Sequence, residues 1–402
     1  MKGAEARPVT SLWTPQFAVL AGITFLTYAN ISVFFQFYGF LGTLPVDPEW
    51  FGLIIGTFAA VSLVVRPLVS PFFHPGNARG FLVLGTVMVM ASLASYSLAR
   101  SLYGIMAVRI FHGMAFVVMG SALMALVIEH VPKDHSAQFF GILSIIILIP
   151  NTLVPPVLPF LTAALGGFPG VLLGFAALCS AIFPLLFLIR PRTPEPGSTG
   201  DRRPLTPGEI RENLTDPGIL ILLSAMLMMY CGHAMIFFFL NGFGKAMGFA
   251  GTGFFLTLTT AGEIGVRMVG GSFLDRMDKS RTLALTLAGL AIAYTVLAFS
   301  SLQWLFFLTG AGIGLGWGIA MPVFNGLMFD ISLPRYRSMN TNLGMQMFQA
   351  GFFFGPFMGG AVVPRWGYKT LFCLCAAMSL AGALLTRIPG GIRSRHENHT
   401  TH

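Results

Sequence analysis

The sequence predicts an all-α membrane protein with twelve transmembrane helices, arranged as two pseudo-symmetric bundles of six. The first observation is composition: of 402 residues, 55% are hydrophobic and only 10% are charged, whereas a soluble chain carries about 25% charged residues. The second is the length of the apolar runs, which match the roughly 30 Å hydrocarbon core of a bilayer. The third is an internal repeat between the two halves of the chain.

The apolar runs define the spans in chain order. Six runs in the first half predict helices over residues 16–41, 51–73, 80–99, 102–128, 137–165 and 169–190. After a polar break, six more predict helices over residues 218–243, 251–274, 281–300, 302–330, 338–363 and 367–388. Each run has the length of about 20 residues that an α-helix needs to cross a bilayer.

The basic residues of the loops indicate the orientation. Most of them fall on the side of the membrane that holds both termini and the polar break between the halves. The opposite loops contain only Arg100, Lys245, Arg365 and Lys369. Because basic residues concentrate in cytoplasmic loops, we expect both termini and the central linker in the cytoplasm, and the protein in the cytoplasmic (inner) membrane.

The predicted organisation is an N-terminal bundle (1–190), a cytoplasmic linker (191–217), a C-terminal bundle (218–388) and a cytoplasmic tail (389–402). The linker is rich in Pro, Gly and charged residues, which favours a plain flexible tether, although residues 208–214 could form a short surface helix. All four cysteines lie in apolar runs and are interpreted as small core residues. We predict no cofactor and no metal site.

Equivalent residues of the internal repeat are 201 positions apart, as Arg66 and Arg267 are. This offset pairs Arg66 with Arg267, Gly113 with Gly314, Glu129 with Asp330, and Pro155 with Pro356. Two repeated six-helix halves around a site near the middle of the membrane are typical of secondary transporters.

Glu263 is the one carboxylate that the sequence places deep within a long apolar segment, and Arg267 follows one helical turn later. A charge inside a bilayer is costly, so an ionisable residue there indicates a functional site. The alternative interpretation is an ion pair between these two residues that only neutralises itself.

The stretch Gly271–Arg281 reads GSFLDRMDKSR, which is similar to the loop signature G-x-x-x-D-R-x-G-R/K-x-R/K of the major facilitator superfamily. The resemblance extends over essentially the whole chain, through the six-plus-six layout with a central linker. It implies gating or structural roles for Gly271, Asp275 and Arg276. At the equivalent place in the first half, we interpret Arg66 mainly as an anchor of the loop.

Two further motifs carry the same resemblance. Arg109-Ile-Phe-His112-Gly113 looks like the family signature R-x-x-Q-G, with His at the Gln position, and implies a place near the site of protonation. The helix 11 segment GFFFGPFMGG, which contains Gly355 and Pro356, matches an antiporter signature that exporters of the family carry in helix 5. The acidic residue that many drug–proton antiporters have in helix 1 is absent, and Asn30 lies near mid-span.

These observations predict two groups of site residues. The proton-coupling group contains Glu263, Arg267, Arg109 and His112. The substrate-binding group consists of polar and aromatic residues expected around a central cavity: Asn30, Gln36, Tyr38, Tyr230, His233, Asn241, Trp317 and Asn325. For most of this second group, hydrogen bonding between helices is the alternative interpretation.

The leading functional hypothesis is a proton-coupled secondary transporter that exports small amphipathic or hydrophobic organic compounds by alternating access. In this hypothesis Glu263 binds a proton in one state and releases it in the other. The alternatives are a proton-coupled importer of an organic anion or sugar, a lipid or lipid-linked headgroup flippase, and a membrane receptor that transports nothing. Sodium coupling stays open, and we expect a monomer in the bilayer, with no nucleic-acid partner. The sequence contains no phosphate loop or nucleophile elbow, so an enzyme is not expected.

Overall fold

The structure is a computed structural model that describes residues 14–69, 72–73, 75–130, 136–189, 206–269, 277–333 and 335–387. The predicted loop residues Gly271, Asp275 and Arg276 lie outside the described residues, as do most of the linker and the tail.

Six long helices form the first half of the described chain. They are α1 (Pro15–Leu41, with a 3-10 turn at Val33–Gln36), α2 (Pro48–Val69), α3 (Pro75–Ser95), α4 (Leu102–His130), α5 (Ser136–Ala164) and α6 (Phe168–Leu188). Four prolines lie inside α5, which stays helical through all of them. In the low-dielectric membrane, neighbouring helices and local adjustments satisfy the carbonyl groups that such prolines leave unpaired.

The second half also contains six long helices. They are α7 (Pro217–Ala246), α8 (Thr252–Val269), α9 (Lys279–Ala298), α10 (Gln303–Ile331), α11 (337–366) and α12 (368–385). The last two follow one another almost directly, and Gly367 separates them with φ 76° and ψ 176°. This left-handed φ favours glycine, so Gly367 lets the chain turn back at once into the next span.

The described residues therefore contain the twelve predicted membrane helices, and ten segments are long and apolar enough to cross a bilayer. One of these, Met339–Leu385, contains 47 residues and holds both α11 and α12. Most predicted boundaries that fall on described residues agree within three residues, but α2 is described as helix only to Val69 against an expected end at 73, and α3 begins and ends four to five residues earlier than expected. Helix α3 begins at Pro75, and proline is well suited to the first turn of a helix.

Close glycine contacts show the pseudo-symmetry of the two halves. In the first half, a Cβ on Gly113 would stand 3.0 Å from the carbonyl oxygen of Phe58. In the second half, a Cβ on Gly314 would collide with the carbonyl oxygen of Thr259. Both residues of the second pair are 201 positions beyond those of the first, so α2 packs on α4 as α8 packs on α10.

The two halves meet along two lateral seams that the same offset relates. At the first seam, between α2 and α11, Gly52 packs against the carbonyl oxygen of Pro356. At the second, between α8 and α5, Gly253 packs against the carbonyl oxygen of Pro155. A side chain at either glycine would collide with backbone atoms, so both seams depend on glycine for their closeness.

We call the side of the membrane where α6 ends and α7 begins the linker face, and the other side the opposite face. At the opposite face, α7 packs against residues 33–41 of α1. Tyr38 lies 4.7 Å from Phe239 between ring centroids, and Arg365 pairs with Glu49 at 2.6 Å. No such extensive packing joins the linker-face parts of α1 and α7 in the described chain. The structure is therefore closed at the opposite face.

The described end of the linker forms a helix, Pro207–Leu214, with a capping box between Thr206 and Glu209. Over these residues the alternative prediction of a short helix at 208–214 is confirmed, and the favoured plain tether is wrong. The helix is held to the second half by two hydrogen bonds between the buried amides of Asn213 and Asn340, of 2.6 and 3.1 Å. Arg335 adds ion pairs to Glu209 and Glu212.

Candidate functional site

The central feature of the site is the ion pair between Glu263 and Arg267 on α8. The two residues are one helical turn apart, and Arg267 Nη2 lies 3.7 Å from Glu263 Oε2. The glutamate side chain is only 2% exposed, and its Oε2 accepts no hydrogen bond within the described chain. Gly318 of α10 packs closely against the backbone of Glu263, which explains the burial. The described partner of this buried carboxylate oxygen is thus a single long ion pair with Arg267, and an ionisable residue buried in an apolar segment is a candidate functional residue.

Arg267 also contacts two other helices. Its Nη1 donates to the carbonyl oxygen of Ser144 on α5 at 3.4 Å, and its Nη2 lies 3.5 Å from Met321 Sδ on α10. The first of these contacts crosses the seam between the halves. Arg267 therefore connects the charge of Glu263 directly to the packing of one half on the other.

An aromatic cluster lies beside this ion pair. The ring of His233 stacks on that of Trp317 with centroids 3.8 Å apart, and Trp317 Nε1 donates to the hydroxyl of Tyr294 at 2.9 Å. Phe348 contacts both His233 and Tyr230. His233 Nδ1 is buried without a hydrogen-bond partner in the described chain. The cluster therefore presents apolar ring faces together with one unused ring nitrogen.

The structure places Arg109 and His112 in a separate cluster inside the first half. Arg109 is 2% exposed and donates to the carbonyl oxygens of Ile54 and Ile55, at 3.2 and 2.6 Å, and to the Tyr96 hydroxyl at 3.4 Å. That hydroxyl lies 3.3 Å from Nδ1 of His112. The guanidinium also lies over three phenylalanine rings, those of Phe34, Phe37 and Phe58. All these partners belong to the first half, so the predicted proton-coupling group is divided between the two halves.

Arg66 occupies the place in the first half that Arg267 occupies in the second. Its Nη2 lies 3.7 Å from the position that a Cβ of Gly120 would take on α4. Gly120 and Met321, the α10 contact of Arg267, are again 201 positions apart. The two arginines thus reach from equivalent helices toward equivalent positions.

Most other predicted substrate residues make contacts within their own half. Gln36 accepts a 3.1 Å hydrogen bond from Thr162, and Asn241 accepts one of 2.7 Å from Thr252. Asn30 is fully buried and donates to the carbonyl oxygen of Thr27. Of the remainder, Tyr38 lies in the closed opposite face, whereas Asn325 is exposed on α10 toward the linker face.

The helix 11 glycines pack α11 against two helices at once. Cβ atoms on Gly351 and Gly355 would meet the backbone of α7 near Tyr230 and Cys231. Gly360, by contrast, packs against Gly52 of α2. The predicted residues Gly355 and Pro356 are therefore at the junction of α11 with α7 and with the other half.

Sequence reasoning missed several partners. Ser144 and Met321 have unremarkable positions in apolar runs, and only the folded chain brings them to Arg267. Tyr294 and Tyr96 complete the two buried polar clusters, and no local pattern marks either one. Within the described residues, no group of three or more His, Cys, Asp or Glu side chains is placed to hold a metal ion.

Comparisons with known proteins agree with this architecture. The family model described as Major Facilitator Superfamily matches residues 18–341 and 250–399. A structure of a bacterial homologue of the human lysosomal transporter Spinster, inward-facing and occupied, has a TM-score of 0.76 at 12% identity, covering 95% of this chain and 97% of that chain. Its inward-facing and unoccupied form has a TM-score of 0.71 at 13% identity, covering 92% and 94%. No curated protein matches the chain.

Proposed function

This chain belongs to the major facilitator superfamily and is thus a multi-pass membrane transporter of a small-molecule substrate rather than an enzyme, and we propose that it is a proton-coupled secondary transporter. In this proposal it exports small amphipathic or hydrophobic organic compounds by alternating access. The observation that carries the proposal is the buried Glu263–Arg267 pair, with its contact across the seam to Ser144.

Protonation of Glu263 would remove its charge and weaken the ion pair. Arg267 would then lose a partner that holds it near the seam, and its contact with Ser144 would become easier to break. With the opposite face closed, Arg267 Nη2 and Glu263 Oε2 are paired at 3.7 Å, an arrangement that an ionised carboxylate stabilises. We therefore assign the ionised form of Glu263 to the state that is open at the linker face.

Several titratable and charged groups face Glu263. Arg267 lies on the same helix, and Tyr230 on α7 and Tyr294 on α9 interact electrostatically with Glu263, whereas His233 on α7 interacts with Arg267. None of the other groups brings a carboxylate into the cluster. Glu263 is accordingly the group whose proton occupancy changes the net charge beside the aromatic surface.

Coupling requires that substrate and proton bias the same two-state equilibrium. The aromatic cluster of His233, Trp317 and Phe348 provides apolar ring faces next to the ion pair, which suits amphipathic or hydrophobic solutes. The two glycine seams provide the surfaces on which rigid halves can rock. A substrate bound beside the protonated or ionised pair then changes which state is favoured.

For the orientation, we assign the linker face to the cytoplasm. The excess of basic residues on that side supports this assignment, since cytoplasmic loops carry such an excess. The protein would then lie in the cytoplasmic membrane as a monomer, with its described opening toward the cytoplasm.

The proposal is tested with purified protein in liposomes, by following accumulation of a lipophilic dye under an imposed pH gradient. We expect wild-type protein to move the dye only when the gradient is present. Glu263→Gln should reduce this gradient-driven rate at least tenfold while still binding the dye, because the glutamine amide keeps the shape of the side chain but takes up no proton. The same assay is repeated with an imposed sodium gradient in place of the pH gradient.

The matched control is Glu49→Gln, which removes an exposed carboxylate from an ion pair at the opposite face. It should keep proton dependence. Gradient-driven transport that is unchanged in Glu263→Gln, or driven by sodium instead of protons, would overturn the assignment of Glu263.

A further inference from the structure

Arg66 and Arg267 have equivalent surroundings in the two halves. Arg66 projects from α2 toward Gly120 of α4, and Arg267 projects from α8 toward Met321 of α10. Each arginine also interacts electrostatically with a tyrosine of the first helix of its half, Tyr28 or Tyr230. The second half uses this arrangement for an ion pair.

Among the described residues, the arginine of the first half has no counter-ion. The position equivalent to Glu263 is Ser62, one helical turn before Arg66. Its side chain is 0% exposed, and its hydroxyl has no hydrogen-bond partner among the described residues. In the same part of the chain, Arg66 makes no ion pair, and its Nε is buried without a hydrogen bond.

Buried donors of Arg66 and Ser62 without hydrogen-bond partners are energetically unfavourable unless a ligand supplies the missing acceptor. A guanidinium near the bilayer interior needs an anionic or strongly polar partner, and a buried donor without an acceptor costs about 1–3 kcal/mol. The linker-face part of α2 is not sealed: Arg66 itself is partly exposed. The partly exposed guanidinium of Arg66 is thus within reach of a ligand entering from the linker face, and the buried Ser62 hydroxyl lies one helical turn deeper on the same helix.

We propose that Arg66, assisted by the hydroxyl of Ser62, binds the anionic headgroup of the transported solute. The headgroup takes the role that the Glu263 carboxylate plays for Arg267. A carboxylate or phosphate fits the forked donors of a guanidinium through two parallel hydrogen bonds. The apolar body of the solute lies along the rings of Tyr28 and Phe116, which pack edge to face with centroids 6.0 Å apart.

This inference rests on the proposed transport function and narrows its substrate class to amphipathic organic anions. It assigns the two arginines different roles. Arg267 senses the proton through Glu263, whereas Arg66 recognises the charge of the cargo. Anion recognition and proton coupling are thereby placed on opposite halves of the molecule.

The test measures binding to the full chain in nanodiscs of neutral phosphatidylcholine, with three probes of equal chain length. These are decanoate, decanol and decyltrimethylammonium, each titrated against the thermal unfolding midpoint. We expect decanoate to raise the midpoint at concentrations at least tenfold below those needed for the other two. Equal effects of all three probes would overturn the proposal.

Variants separate the headgroup site from general charge. Arg66→Gln should weaken decanoate binding at least tenfold, while Arg66→Lys should keep part of it because the charge remains. Arg387→Gln, which removes an exposed basic side chain from the linker face, should bind decanoate as the wild type does. Unchanged decanoate affinity in a folded Arg66→Gln protein would contradict the assignment.

A second variant keeps the test decisive if Arg66→Gln does not fold. Ser62→Glu recreates the ion pair of the second half and should abolish the preference for decanoate while preserving or raising the unfolding midpoint. Undiminished decanoate binding in Ser62→Glu would overturn the proposal.

The source of the anion and the link to transport are tested in two further arms. Adding phosphatidylglycerol to the nanodiscs should leave decanoate binding unchanged if the cargo is a soluble solute; competition by this lipid would overturn that part of the assignment. Decanoate binding that persists in Glu263→Gln supports a headgroup site separate from proton coupling. A wild type that binds decanoate at Arg66 but shows no gradient-driven transport would refute the proposed function and not the site.

Discussion

Arg109 is a buried cation whose described hydrogen bonds and ring contacts are all with neutral groups. Two backbone carbonyl oxygens, one tyrosine hydroxyl and three aromatic rings surround its guanidinium. These partners fix α4 against α2 and against the Tyr96 end of α3. These contacts are those of a residue that packs helices together. The proton-coupling role that the motif suggests for Arg109 is tested by a substitution.

Replacing Arg109 with lysine tests these two roles. Lysine keeps the charge but cannot present forked donors to Ile54, Ile55 and Tyr96 together, so each acceptor left unpaired should cost about 1–3 kcal/mol. We expect a clearly lower thermal unfolding midpoint and, per folded molecule, unchanged dependence of transport on the pH gradient. Arg337→Lys, at a more exposed position, is the control. A variant with a normal midpoint that has lost proton dependence would return Arg109 to the coupling site.

At this scale the sequence predicts the ionisable residues well and their partners poorly. Glu263 and Arg267 are recognisable because charges are rare in apolar runs and because their spacing places them on one helix face. Ser144 contributes only a backbone carbonyl oxygen, which every residue possesses, so nothing in its identity could reveal the contact. The division of Arg109 from Glu263 likewise depends on which helices pack together.

The glycine seams are the main packing devices at the scale of helices. At the α2–α11 seam, Gly360 and Gly52 approach so closely that a Cβ on either would collide with the other's backbone. The α5–α8 seam repeats this with Gly253 against Pro155. Close backbone contact replaces the hydrophobic effect, which does not drive helices together inside a lipid bilayer.

Gly360→Ala should therefore destabilise the closed opposite face. Overpacking of this kind costs about 1–3 kcal/mol, which outweighs the gain of up to about 1 kcal/mol in helix propensity. We expect a lower unfolding midpoint and faster labelling of a cysteine placed at position 49. Gly289→Ala is the control, because open space surrounds a Cβ there. Equal behaviour of the two variants would show that the seam tolerates a side chain.

The helices themselves are predictable because twenty apolar residues in a row have few alternatives in a membrane. The internal offset also predicts contacts, since the paired prolines at 155 and 356 turn out to face paired glycines. The packing of the linker helix against the second half is harder to predict from the sequence. Its capping box is a local signal, but its attachment depends on Asn340, more than a hundred residues away.

At the scale of the whole molecule, the two halves carry different polar groups on one framework. The same helix positions carry an ion pair in the second half and an arginine with a serine in the first. A pseudo-symmetric fold can rock between two similar arrangements, while the differences between its halves determine which ligand favours which arrangement. In the proposed mechanism, the asymmetry between Glu263 and Ser62 is therefore central.

The most direct test of this account measures the distance between the halves as a function of pH. Spin labels at Ile128 and Phe329 occupy equivalent exposed positions near the linker-face ends of α4 and α10, where the side chains are 59% and 50% exposed. The four native cysteines are first replaced by alanine. Pulsed electron paramagnetic resonance then gives the distribution of distances between the two labels in nanodiscs.

We predict that acidification shifts the wild-type distribution toward shorter distances, because protonated Glu263 no longer holds Arg267 in the state that is open at the linker face. The Glu263→Gln protein should show one distribution at every pH. If its distribution instead changes with pH as the wild type's does, Glu263 does not couple protons to the movement of the halves.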